Sequence, residues 1–248
     1  MYEATGRELV RSFTDATTLA RLLICYEDMP EQLDWRDPRI MTFNLGNSQI
    51  LQKWLQENSD IIPVHLGGRA STCNCPRDSE EHNAGCSFGW FNRNAARWFR
   101  KVVSIHRGAL QPNHEAIIWL DSDCVIQSQM SAEQPAQWFG DSAAFYLKSR
   151  DRTVLESGII GFRTNRSGLT IIASVLQRYL SQQFRSDVRW DDGFQFQLSF
   201  ERHPEIPARD LATHASGKRP FGHVVCNSPI GRYIVHRKGL HASTRIMM

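Results

Sequence analysis

No apolar run in this 248-residue chain approaches the roughly 18 residues that a helix needs to cross a bilayer, so no integral membrane segment is expected. The start, Met1-Tyr2-Glu3-Ala4, lacks both the basic opening and the apolar stretch of a secretory signal, and the expected compartment is the cytoplasm. Charge of one sign is lacking too. The 29 Lys and Arg against 26 Asp and Glu leave a formal +3, and there is no contiguous basic stripe, so no nucleic-acid partner is expected. Lysine itself is scarce: Lys53, Lys101, Lys148, Lys218 and Lys238 are all there is, and 29 − 5 = 24 basic residues are arginines, which suit phosphate recognition. Repeats, low-complexity tracts and Pro/Gly/Ser linkers are absent, while 41% hydrophobic and 22% charged residues exclude long disorder. The length fits a single domain over residues 1–248.

Hydrophobic period supplies the elements. Glu8 to Thr14 reads as a strand, and Leu19, Leu22, Leu23 and Tyr26 fall on one helical face that Asp28-Met29-Pro30 closes. Ile40 to Leu45 reads as a strand, Gly46-Asn47-Ser48 as turn and cap, and Ile50, Leu51, Trp54 and Leu55 as a helix. Ile61 to Leu66 reads as a third strand, and residues 69 to 89 as a loop. A helix over Phe91 to His106 carries the apolar stripe Phe91, Ala95, Trp98, Phe99 and Val102, with Arg93, Arg97, Arg100 and Lys101 opposite. Ala116 to Leu120 is a short apolar run, as in a strand covered on both faces. Ala143 to Leu147 and Gly158 to Phe162 read as strands, Leu169, Ile172, Leu176 and Tyr179 as a helix, and the third from Pro204 onward is less regular. Strands alternating with helices predict an α/β fold with a mostly parallel, Rossmann-type central sheet flanked by helices.

The central apolar strand runs straight into Asp121-Ser122-Asp123. In an open parallel sheet the ligand crevice lies at the carboxyl ends of the strands. Two carboxylates there can share Mg²⁺ or Mn²⁺, and such an ion would neutralise a departing diphosphate. A solvated turn is the plainer alternative. Glu156, at a strand start, and Asp192, after the potential sugar platform Trp190, are the candidate working carboxylates; Asp191-Asp192-Gly193 also reads as an acidic helix N-terminus.

Ile118-Trp119-Leu120-Asp121-Ser122-Asp123 resembles the Asp-x-Asp segment of GT-A-fold, nucleotide-sugar-dependent glycosyltransferases of bacterial and phage type. Other segments agree in order. Arg11-Ser12-Phe13-Thr14 is similar to their nucleotide-binding turn, Lys101 to a lysine on the helix before the metal strand, and Glu156 to Phe162 to their Glu-x-Gly-(x)₃-Phe. Trp190-Asp191-Asp192 stands where relatives have Trp-His-Asp, and Asn227 to Gly239 resembles their closing His-x-Lys-Gly segment. Asp191 in place of His, and Leu240-His241 in place of a basic pair, are departures.

The resemblance implies a GT-A-like glycosyltransferase moving a sugar from a nucleoside-diphosphate donor, UDP-sugar favoured, to a glycan or other hydroxyl acceptor. It implies Asp121, Asp123 and His236 around Mn²⁺ or Mg²⁺, and Ser12, Phe13, Thr14, Lys101, Asp121, Lys238 and Gly239 around the donor. Lys101, with Arg97 one turn before it, would meet the same diphosphate, or the two would stand on a solvated basic face of the helix. Asp192 and Glu156 would be catalytic. The C-terminal segment would then fold back over the crevice as a lid, outside the core strands. A sugar nucleotidyltransferase shares this architecture, but the Gly-rich triphosphate loop is missing.

Cys73, Cys75, His82 and Cys86 supply the donors of a structural Cys₃His zinc site, or stand as free or redox thiols; the Cys-x-Cys spacing is tighter than a usual zinc knuckle. With the arginines this loop gives a further alternative, a non-catalytic zinc-containing nucleic-acid binder, which the small net charge disfavours. Cys25, Cys124 and Cys226 sit in apolar surroundings and read as packing residues.

Overall fold

The computed structural model describes residues 22–26, 40–61, 95–121, 124–128, 130–131, 133–148, 154–212 and 224–236. Its first elements are two parallel strands, β1 (Leu22–Tyr26) and β2 (Ile40–Asn44), with Leu22 opposite Ile40. Leu22, Leu23 and Tyr26 thus belong to a strand and not to the expected helix. A run as short and apolar as Leu-Leu-Ile-Cys-Tyr satisfies both periods, and pairing with β2 decides between them. The cap read at Ser48 is present: its hydroxyl accepts from Leu51 N at 3.3 Å and starts α1 (Gln49–Glu57). Ile61 closes a 3₁₀ turn (Ser59–Ile61) where a strand was expected to begin, and the rest of that segment lies outside the described residues.

The helix expected over Phe91 to His106 is seen as α2 (Ala95–Ala109). There follow β3 (Ala116–Leu120), β4 (Cys124–Ile126), α3 (Glu133–Phe139), β5 (Ala144–Leu147) and β6 (Glu156–Arg163). The chain continues as α4 (Arg166–Leu180), α5 (Asp192–Arg202), β7 (Ala208–Asp210) and β8 (Ile234–His236). The main sheet has the order β3-β6-β5-β7, with β6 antiparallel to both neighbours and β7 parallel to β5. It is therefore mixed and not mostly parallel. Only residues 148 to 155 join β5 to β6, and a parallel crossover needs a dozen or more. β4 and β8 form a separate antiparallel pair.

Two cores lie against the main sheet. On one side α1, α2, α4 and α5 pack around Trp54, Phe99, Tyr179 and Phe184, with Trp54 and Phe99 rings 4.5 Å apart. Trp54 Nε1 donates to Tyr179 O at 2.8 Å, so the largest side chain in this core brings no unpaired polar atom. Full burial of each such ring contributes about 1.5–3 kcal/mol. The opposite core gathers Trp138, Phe139, Phe145, Ile159, Val225, Ile230 and Ile234. Gly161 makes room in it: an added Cβ would lie 2.2 Å from the Phe145 ring. The alternation of β6 serves both cores, with Ile160 and Phe162 in the first and Ile159 in the second. β3 packs on both sides as expected, Ile117 and Trp119 one way and Ile118 and Leu120 the other, but it stays half-buried along its length because it ends the strand order.

Ile230 and Ile234 being core residues corrects the expectation that the C-terminal segment lies outside the core. Cys124 is buried as read, whereas Cys226 is exposed. No helix among the described residues is long and apolar enough to cross a membrane.

Candidate active site

Four elements deliver one polar cluster at the carboxyl end of β3. The strand hands over to Asp121, whose N–H donates to Gly158 O at 2.8 Å and whose carbonyl accepts from Cys124 N at 2.9 Å. These bonds fix the backbone where the chain leaves the sheet. α2 brings Lys101, α5 brings Asp192 as its first residue, and β8 brings His236. The antiparallel register that pairs Cys124 with His236 is what sets the imidazole beside Asp121.

Lys101 is the hub. Its Nζ donates to Asp121 Oδ1 at 2.9 Å, to Ser157 O at 2.6 Å and to Ser157 Oγ at 3.2 Å, and forms an ion pair with Asp192 Oδ2 at 2.8 Å. The side chain is only 7% exposed, so Lys101 does not belong to the solvated basic face of its helix. Arg97 does: it is exposed and stacks over Trp98 at 4.9 Å, apart from Lys101. Burial alone would lower the Lys101 pKa, but the attraction of Asp121 and Asp192 overrides it and raises the pKa, keeping the ammonium charged.

Asp192 is 2% exposed, and its pKa is also raised. Burial is the main cause, with Lys101 opposing it and the Asp121 charge adding to it. Both partners rise because one ammonium serves two carboxylates: the lysine is doubly compensated, and Asp192 is compensated in part while repelled by Asp121. The neighbouring Asp191 has a different task. It caps α5, accepting from Phe194 N at 3.3 Å and from Arg189 Nε at 2.7 Å. Asp191 is thus the N-cap and Asp192 the first residue of α5, as the helix N-terminus reading expects of both, and Asp192 in addition pairs with Lys101. Arg178 braces the approach, donating to Asp187 Oδ2 at 2.6 Å and to Gln195 Oε1 at 2.7 Å, and Gln195 Nε2 donates to Arg189 O at 3.0 Å.

Asp121 Oδ2 faces His236 Nε2 at 4.0 Å. Two ligands of one small divalent ion, each about 2.1 Å away, lie no more than about 4.2 Å apart, so this spacing is within the outer reach of a shared ion. The charge suits it as well: Lys101 offsets one of the two carboxylates it touches. Among the described residues no group of three His, Cys, Asp or Glu is arranged as a metal site. Asp123 lies outside those residues, as do Ser12, Phe13, Thr14, Lys238, Gly239 and the loop donors Cys73, Cys75, His82 and Cys86.

Glu156 is buried at the start of β6, where Oε1 accepts from Gly158 N at 3.0 Å. Trp190 packs edge-on against Phe184, with centroids 5.4 Å apart, and its carbonyl accepts from Tyr179 OH at 2.7 Å. It packs against the helical core. Two contributors escaped the sequence reading. Ser157 binds the ammonium, and Trp119 Nε1 donates to Asp121 Oδ1 at 2.7 Å. For Trp119 the signal was available, since residues i and i+2 of a strand share a face.

Gly158 allows His236 to approach. A Cβ there would lie 2.4 Å from His236 Cε1 and 2.9 Å from both His236 Nδ1 and Glu156 Oε1. Gly158→Ala is therefore expected to displace the imidazole, lowering stability by about 1–3 kcal/mol through overpacking. Hydrogen exchange should show faster amides at Ile234–His236, with β3 and β6 unchanged. Wild-type protection of β8 in this variant would contradict the close approach.

No protein-family model matches the sequence, and no curated protein matches it. Among solved structures, the crystal structure of mouse xyloside xylosyltransferase 1 in its apo form is similar, at 12% identity, covering 85% of this chain and 79% of that chain with a TM-score of 0.46. A likeness of that size assigns no role to any residue.

Proposed function

We propose that the protein is a divalent-metal-dependent glycosyltransferase, moving a sugar from a nucleoside-diphosphate donor, a UDP-sugar in first place, to a hydroxyl acceptor. One observation carries this reading. Lys101, Asp121, Asp192 and His236, far apart in sequence and each singled out by a different motif, meet in one cluster at a strand end.

In this reading Asp121 and His236, joined by Asp123, hold Mn²⁺ or Mg²⁺. The ion supplies neutralisation of the diphosphate as it leaves. Lys101 holds Asp121 in place through its contact with Oδ1. Asp192 presents a buried carboxylate whose raised pKa suits it to take the acceptor hydroxyl proton or to hold the transferring sugar. Glu156 stiffens the start of β6 through Gly158, beside the cluster. Ser12, Phe13 and Thr14 for the base, and Lys238 and Gly239 for the phosphate, complete the donor site by resemblance.

The test is a panel of nucleotide sugars incubated with purified protein, with and without Mn²⁺, followed for nucleoside diphosphate. Release with at least one sugar, dependent on the metal and stimulated by an acceptor, is expected. Pyrophosphate formation from a sugar phosphate and a nucleoside triphosphate would instead identify a nucleotidyltransferase. Silence across the panel would reject the proposal.

A further inference from the structure

Asp121 has two oxygens in unlike surroundings. Oδ1 accepts from Lys101 Nζ at 2.9 Å and from the Trp119 indole N–H at 2.7 Å. Oδ2 is turned toward His236 Nε2, 4.0 Å away. The indole ring also lies under the ammonium, with Lys101 Nζ 5.4 Å from its centroid. Trp119 therefore meets both members of the Lys101–Asp121 pair: its edge donates to the carboxylate and its face lies beneath the cation. Two donors on Oδ1 use the acceptor capacity of that oxygen and block rotation of the carboxylate about Cβ–Cγ.

We propose that Trp119 is a positioning residue for the metal ligand: its N–H, acting with Lys101, locks Asp121 so that Oδ2 alone is presented to a divalent ion beside His236. This rests on Asp121 and His236 being metal ligands. Bidentate coordination by Asp121 is then disfavoured, which selects ions content with one oxygen from each carboxylate. Donors that orient a ligating carboxylate typically govern metal affinity by about 10–100-fold.

The variant that isolates this is Trp119→Phe, which keeps an aromatic face for Lys101 and removes the N–H. Mn²⁺ binding to the full chain is read by electron paramagnetic resonance in the presence of UDP. UDP binding without metal and the thermal midpoint are measured alongside. The expected result is Mn²⁺ affinity weakened about tenfold or more, with metal-free UDP affinity unchanged. Unaltered Mn²⁺ affinity overturns the proposal, and so does an equal loss of both affinities, which would mark Trp119 as a packing residue. Wild-type protein that binds no Mn²⁺ would remove the metal-ligand reading itself, a failure visible before any variant is made. Should phenylalanine not be tolerated, a benzothiophene analogue of tryptophan at position 119 keeps the bicycle, replaces N–H by sulfur, and gives the same comparison.

Discussion

Lys101→Met is expected to destabilise the protein by about 3–5 kcal/mol at neutral pH, the range for removing one partner of a buried ion pair. The size follows from what is left behind. Asp192 is 2% exposed and would lose the ammonium that compensates it, so folding at neutral pH would require either a desolvated charge or uptake of a proton, while Asp121 would still repel the charged form. Methionine fills most of the lysine volume, so the loss would report charge and not a cavity. The pH dependence fixes the cause. Asp192 already has a folded-state pKa above its ordinary value, and removing Lys101 takes away the attraction that opposes that rise. A carboxyl raised on folding stabilises the fold below its unfolded pKa, and that contribution is lost as pH rises through the folded pKa. The gap between variant and wild type should therefore be widest near neutrality and shrink on acidification toward about pH 4. Urea unfolding of both proteins across this range measures it. A gap under about 1 kcal/mol, the same at every pH, would place Lys101 among ordinary surface pairs.

The site was legible in part because its members carry chemistry that local sequence cannot explain away. Asp121 follows the most apolar strand, and that placement holds in the fold. Lys101 was less legible. A helical wheel sets it beside Arg97 and Arg100 on the polar side, yet it is buried while Arg97 is exposed. The wheel gives direction and not the partner, and the two carboxylates that draw the ammonium inward lie 20 and 91 residues further on (121 − 101 and 192 − 101). Sheet direction was misread for a similar reason. Alternating strands and helices imply parallel neighbours only when each helix joins adjacent strands. Here β6 sits between β3 and β5, and the eight residues 148 to 155 leave no room for a crossover helix. That spacing was readable. The Leu22–Tyr26 strand was not, because its five apolar residues fit either period and its partner lies at Ile40–Asn44. His236 was singled out by resemblance, and Ile-Val-His is too short a strand to announce itself. What puts it beside Asp121 is its register with β4.

Asp192→Asn should do the reverse of Lys101→Met: little change in stability, and a fall in turnover of about 10²–10⁴-fold. Burial raises the pKa of the native carboxylate, which means its charge is held in the fold at a cost. The amide removes that cost together with the ion pair, and its oxygen can still accept from Lys101 Nζ, which keeps Asp121 and Ser157 O as partners. In the proposed reading donor and metal contacts run through Asp121 and His236, so donor affinity should stay within about threefold while turnover drops, the pattern of a group that acts in the transition state. Glu156→Gln is the comparison. Its Oε1 already accepts from Gly158 N, a bond that glutamine can retain, and its effect on turnover should be the smaller of the two. Steady-state kinetics with the active nucleotide sugar, paired with calorimetric titration of UDP and Mn²⁺, separates the two quantities. Near-normal turnover in Asp192→Asn would leave Asp192 as an acidic first residue of α5, favourable to the helix dipole and paired with Lys101 for structure alone. Lost turnover with equally lost donor affinity would instead assign Asp192 to ground-state binding of the sugar, because the carboxylate would then be needed before the transition state and not only within it.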